Sequence, residues 1–156
     1  MPLKKGDRAP AFTLYDTEKK ARSLSEFLGK KLVLTFYPGA FTGVCTKEMC
    51  TFRDSLASLG SLNAQVVGIS GDSPYANKVF GEQNKLTFPL LSDFTLEVSK
   101  SYGGVYDSFA GLKSYAASKR SVFILDTGGI VQYAWITDNP AVEPPYADVE
   151  KALASL

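Results

Sequence analysis

Phe36-Tyr37-Pro38-Gly39-Ala40-Phe41-Thr42-Gly43-Val44-Cys45-Thr46-Lys47-Glu48-Met49-Cys50 is the stretch from which the fold and the chemistry of this chain are read. Just before it, Lys31-Leu-Val-Leu-Thr-Phe-Tyr37 is a short apolar run of the kind that forms a buried strand, and Pro38 ends it. After it, Cys45, Met49, Phe52, Leu56 and Leu59 recur at helical spacing, which predicts a helix over 45–60 stopped by Gly60. A thiol is thereby set at the start of a helix. Backbone N–H groups there lack intrahelical partners, and the positive end of the helix dipole favours the thiolate. The thiolate is the reactive form of cysteine, so Cys45 is the leading candidate for chemistry.

Working outward, a βαβ rhythm runs through most of the sequence. Ala64-Gln-Val-Val-Gly-Ile-Ser70 reads as the next strand. Asp72-Ser-Pro74 reads as a helix start, an N-cap candidate followed by proline in the first turn, with the helix running to about Leu86. Phe88 to Ser92 reads as a short strand and Leu96 to Tyr102 as a short helix. Ser121–Leu125 and Ile130–Ile136 are strands joined by the turn Asp126-Thr-Gly-Gly129, and a last helix covers Tyr146 to Ser155. Parallel units followed by a hairpin predict a mixed central sheet with helices on both faces, an α/β domain occupying residues 1–156. The polar, weakly patterned segment from Asp107 to Lys119 reads as a surface insertion without an assignable shape.

Composition narrows the chemistry. The 156 residues carry a net charge of +1, which gives no reason to expect nucleic acid or an acidic membrane surface as a partner. Apolar runs fall far below the ~20 residues of a membrane helix. A polar N-terminus and the lack of an Asn-x-Ser/Thr sequon give no sign of secretion, so a cytoplasmic location is expected. The sequence contains no histidine, which removes Ser-His-Asp and Cys-His hydrolysis and most mononuclear metal centres. Two cysteines do not fill a zinc site, and neither metal nor organic cofactor is expected.

The pattern Pro38-x-x-x-Thr42-x-x-Cys45 resembles the active-site motif of the peroxiredoxin family. Ala9-Pro-Ala-Phe-Thr-Leu14, Gly68-Ile-Ser-Gly-Asp-Ser-Pro74, Phe88-Pro-Leu-Leu-Ser-Asp93, Arg120-Ser-Val-Phe-Ile-Leu-Asp126 and the Asn139-Pro140 loop occur in that family's order. Cys50, five residues after Cys45, is similar to the bacterioferritin-comigratory (Q) branch. The wording Pro-Gly-Ala-Phe-Thr-Gly-Val-Cys is closer to the one-cysteine AhpE-like and type-5 branches.

The resemblance implies a thioredoxin-like fold and reduction of hydrogen peroxide and organic hydroperoxides through a sulfenic acid on Cys45. It further implies that Arg120 supplies positive charge beside the thiolate and the peroxide, that the Thr42 hydroxyl holds the peroxide, and that Pro38 shields the thiol. Backbone N–H groups of Val44 and Cys45 would stabilise the departing oxygen, and Glu48 would support this set. Cys50 becomes the candidate resolving cysteine, forming an intramolecular disulfide reduced by a thioredoxin- or glutaredoxin-like donor. In one regular helix, residues five apart are separated by a rise of ~7.5 Å and ~140°, giving Cα atoms ~8.7 Å apart. Disulfides rarely bridge more than ~7 Å, so a Cys45–Cys50 bond requires part of the helix to unwind.

Other readings remain open. Cys50 sits beside the apolar stripe and could simply pack there, leaving a one-cysteine peroxidase that uses an external thiol. A thiol-disulfide oxidoreductase is disfavoured because Cys45-x-x-x-x-Cys50 is not the Cys-x-x-Cys of that chemistry. A non-catalytic binding or holdase module would need no special reactivity at Cys45. By residue type alone, Arg120 would be a solvated strand-end arginine and Thr42 a helix N-cap. Phe41 is a candidate for a subunit contact in a homodimer.

Overall fold

The computed structural model describes residues 2–156. Seven strands form one sheet. They are β1 (Thr13–Tyr15), β2 (Ala21–Ser23), β3 (Lys31–Phe36), β4 (Ala64–Ser70), β5 (Leu90–Ser92), β8 (Ser121–Leu125) and β9 (Val131–Ile136). Their spatial order is β2-β1-β5-β4-β3-β8-β9. The central strands β3, β4 and β5 run parallel, while β8 lies antiparallel to β3, β9 to β8, and β1 to both β2 and β5. The sheet is therefore mixed, as the sequence predicts.

Alternation along β3 divides the core. Leu32, Leu34 and Phe36 face one side with Phe12, Val67, Ile69, Tyr102 and Phe123. The helices α1 (Leu24–Phe27) and α5 (Glu97–Tyr102) cover that side, contributing Phe27 and Tyr102. Val33 and Tyr37 face the other side with Cys45, Met49, Phe52, Phe80, Val122, Ile124, Val149 and Leu153. These come from α2 (Gly43–Asp54), α4 (Pro74–Gln83) and α6 (Tyr146–Ala154). Close packing of α2 on the sheet depends on Gly68 in β4, where a Cβ would meet the Met49 methyl at 2.6 Å.

Local chemistry moved three sequence-derived boundaries. The helix expected over 45–60 is two: α2 ends at Asp54 and α3 runs over Leu56–Ser61. The hydroxyls of Thr46, Thr51 and Ser55 each donate to the carbonyl four residues back, a pattern that bends helices, and the break falls at Ser55. Gly60 lies inside α3, and the turn is completed by Asn63 at φ 58°. Ser73 caps α4 by accepting from the Ala76 N–H, but α4 ends at Gln83 rather than Leu86 because Lys85 takes φ 52°.

The segment from Asp107 to Lys119 is more than a surface insertion. A two-residue strand β6 (Val105–Tyr106) pairs with β7 (Ala117–Ser118) at its base, and a 3₁₀ turn (Phe109–Gly111) buries Phe109. The hairpin β1–β2 has no counterpart among the sequence-derived elements. Three-residue strands are too short to show a period.

Candidate active site

β3 ends at Phe36, and Tyr37 to Thr42 carry the chain across the sheet end into α2. Because Phe36 pairs with Ser121 in the antiparallel β3–β8 register, the residue before β8, Arg120, arrives beside this loop from 75 positions away. Arg120 is 1% exposed and Cys45 and Glu48 are 0% exposed, so a solvated strand-end arginine is ruled out. The guanidinium is shared. Nη1 donates to the Cys45 Sγ at 3.3 Å and to Glu48 Oε1 at 2.6 Å, while Nε and Nη2 donate to the Pro140 carbonyl at 3.0 and 2.8 Å. Thr35, on the α2 side of β3, donates its hydroxyl to the other Glu48 oxygen.

Thr42 occupies the N-cap position of α2 but makes no side-chain capping bond. Its hydroxyl donates to the Gly39 carbonyl at 2.8 Å and lies close enough to the Cys45 sulfur to stabilise a negative charge there. The one hydroxyl proton serves one of these acceptors at a time. The first helical bond visible at this end runs from the Thr46 N–H to the Thr42 carbonyl, so the N–H groups of Val44 and Cys45 belong to the open first turn. Pro38 is buried within the loop. Asp72 accepts from the Ala40 N–H at 2.8 Å and from Ser70, pinning the loop from the β4 side.

The electrostatics modify the expectation of a readily ionised thiol. Burial pushes the Cys45 thiol up, above its ordinary value. Arg120, the Thr42 hydroxyl and the Gly39 N–H oppose this, while the Glu48 charge adds to it. Burial also pushes Glu48 up to about 7, with Arg120 and Thr35 pulling it back. The guanidinium keeps its charge throughout the working range, so the variable charges are the Glu48 carboxyl and the Cys45 thiol. Protonating Glu48 leaves the Cys45 sulfur without a competing negative charge beside Arg120.

Cys50 is not brought to this cluster. Both cysteines are free thiols in the continuous helix α2, and Cys50, half-buried, donates toward Asn84 Oδ1 at 3.6 Å. Residue-type reasoning missed Tyr106, whose hydroxyl accepts from the Arg120 N–H at 3.3 Å, and Pro140, whose contribution is a backbone carbonyl that no side-chain pattern reveals. It also missed Phe109, whose ring edge stands 3.6 Å from where a Cβ on Gly39 would lie. The only signal for Thr35 was a hydroxyl within an otherwise apolar strand.

Comparison with known proteins gives the family and the fold. The model of the AhpC/TSA family matches residues 5–134. The chain is 44% identical over 131 residues to peroxiredoxin Q, chloroplastic, of Sedum lineare, covering 84% of this chain and 68% of that protein. It is 42% identical over 130 residues to peroxiredoxin Q, chloroplastic, of Populus jackii, covering 83% of this chain and 59% of the relative. The chain thus spans about three-fifths of the length of several curated relatives it matches. The crystal structure of peroxidoxin BcpB from Mycobacterium tuberculosis superposes with a TM-score of 0.84 at 32% identity, covering 99% of this chain and 98% of that one. The fold is the thioredoxin-like fold of these neighbours, and the chain belongs to the AhpC/TSA family, among relatives named peroxiredoxin Q.

Proposed function

We propose that this chain is a thiol-dependent peroxidase that reduces hydrogen peroxide and organic hydroperoxides at Cys45. The observation that carries the reading is the single buried guanidinium, Arg120, bonded at once to the Cys45 sulfur and to Glu48. The Cys45 thiolate attacks the terminal peroxide oxygen. The O–O bond breaks, the sulfur becomes a sulfenic acid, and water or an alcohol leaves. Arg120 stabilises the thiolate and the charge growing on the departing oxygen. The Thr42 hydroxyl and the Val44 and Cys45 N–H groups add donors at the open helix turn, and Pro38 keeps bulk water from the sulfur.

Cys50 serves as the resolving thiol in this proposal, giving an intramolecular disulfide after part of α2 unwinds. A thioredoxin- or glutaredoxin-like dithiol then reduces that bond. A one-cysteine cycle with an external thiol is the second reading. The continuous α2 and the Asn84 contact that turns Cys50 away from Cys45 favour it. Exposed Phe41, at φ 69° in the loop before the thiol, supports the proposal of a homodimer contact. Two free thiols are compatible with a reducing compartment such as the cytosol.

The test is a coupled assay in which a hydroperoxide, the protein and a thioredoxin-like donor are combined, with intact mass read in parallel after one equivalent of peroxide. Peroxide-dependent oxidation of the donor, with a protein mass two hydrogens lower, supports the two-cysteine cycle. Added oxygen with Cys50 still alkylatable supports the one-cysteine cycle. A Cys45 that stays alkylatable after peroxide contradicts the peroxidase reading and favours a binding module.

A further inference from the structure

Cys50 lies on the side of α2 that meets the C-terminal end of α4, and there one residue holds it. Asn84, the C-cap of α4, touches α2 twice. Its side-chain oxygen accepts from the Cys50 thiol at 3.6 Å, and its backbone carbonyl accepts from Arg53 Nη1 at 2.6 Å. Asn84 is itself fixed, since its side-chain nitrogen and its backbone N–H both donate to the Phe80 carbonyl, at 2.9 and 3.2 Å. Arg53 is braced on its other edge by Asp54, at 2.9 Å from Nε.

We propose that Arg53 and Asn84 latch the Cys50 half of α2 onto α4, and that release of this latch sets how fast Cys50 reaches an oxidised Cys45. The proposal rests on the reading of Cys50 as the resolving thiol. Two thiols five residues apart in one helix are too distant to bond, so residues around Cys50 or Cys45 must leave the helix. The Cys45 end is held in the core beside Arg120. The Cys50 end lies one turn from the break at Ser55, and the Asn84 contacts fasten its edge toward α4.

Once released, the Cys50 thiolate attacks the sulfenic sulfur of Cys45. The S–S bond forms, the S–O bond breaks, and hydroxide leaves and is protonated to water. Cys50 supplies the electron pair of the new bond, so its sulfur is oxidised and the sulfenic sulfur reduced to the common disulfide level. The competing fate is transfer of a second peroxide oxygen to Cys45, giving a sulfinic acid. A tighter latch therefore lengthens the life of the sulfenic acid and raises the sulfinic yield.

The experiment uses the full chain as wild type, Arg53→Ala and Asn84→Ala. Each is reduced, mixed with one equivalent of hydrogen peroxide, quenched with acid or alkylator at successive delays, and weighed intact; a parallel series uses excess peroxide. Oxidation of Cys45 is expected at the wild-type rate in both variants. Disulfide formation is expected to be about three- to tenfold faster, the effect of losing one hydrogen bond, with a smaller sulfinic fraction under excess peroxide. Merely loosening the fold would alter the first oxidation as well. Disulfide formation at or below the wild-type rate in both variants would overturn the latch. A wild type that forms no Cys45–Cys50 bond would instead overturn the resolving role on which it rests, so the two failures are told apart.

Discussion

Cys45 and Cys50 share one helix and one residue type, yet their surroundings have little in common. Cys45 is sealed in the core with a guanidinium, a carboxyl and a hydroxyl within reach. Cys50 is half-buried against a neutral amide at the end of a neighbouring helix. On the proposed reading, the reactivity of Cys45 rests on what the sheet brings to it, above all Arg120, the residue before β8. Helix position alone does not do it, because burial opposes the helix terminus and pushes the Cys45 thiol up.

The comparison breaks first if the two thiols are interchangeable. Cys45→Ser is expected to lower peroxide consumption by at least about a thousandfold, while Cys50→Ser keeps the first turnover and stalls without an external thiol. Stopped-flow peroxide consumption distinguishes the two. Arg120→Met is expected to slow the oxidation of Cys45 by about a hundredfold, as for loss of a principal charge-stabilising donor. It also strands Glu48 in the core, at a cost of about 3–5 kcal/mol seen in chemical denaturation. If Arg120→Met oxidises as fast as wild type, the guanidinium does not confer the reactivity.

Glu48 sharpens the contrast through pH. Its carboxyl is raised from 4.5 to about 7, so the folded protein binds its proton more tightly than the unfolded chain does. Stability from this group is therefore complete below about pH 4.5 and lost as pH rises through about 7, a change on the order of 3 kcal/mol. Glu48→Gln should flatten that part of the stability–pH curve, measured by urea unfolding. It should also lower the Cys45 titration point, followed by thiolate absorbance, because the carboxylate no longer opposes the thiolate. Thr42→Val, which removes the hydroxyl and keeps the shape, is expected to have the smallest effect, about tenfold on the first oxidation. Equal oxidation rates for Thr42→Val and wild type would remove Thr42 from the site.

Much of this was legible in the sequence, and its limits have physical causes. The strand from Lys31, the helix carrying Cys45 and the terminal hairpin follow from apolar period and turn residues, which are local properties. Cys45 was legible from its place at the start of a helix, whereas the roles expected of Pro38, Thr42 and Arg120 came only through the family resemblance. By residue type Arg120 is a surface residue, and only the Phe36–Ser121 register turns it inward. The anchor of Arg120 is the carbonyl of Pro140, a group every residue possesses and no sequence pattern marks. The helix break at Ser55 arises from hydroxyls competing for backbone carbonyls, a weak effect hidden under a regular apolar stripe. The 107–119 segment was opaque because it closes on a two-residue strand pair and one buried ring, Phe109.

The most direct test of the central claim is site-resolved mapping of the first oxygen. Wild-type protein is exposed to less than one equivalent of hydrogen peroxide, trapped within milliseconds by a sulfenic-acid reagent, digested and analysed by peptide mass. The account predicts the trapped oxygen on Cys45 at every early time, with Cys50 modified only as its disulfide partner. Trapped oxygen on Cys50, or on both sulfurs at equal rates, would contradict it.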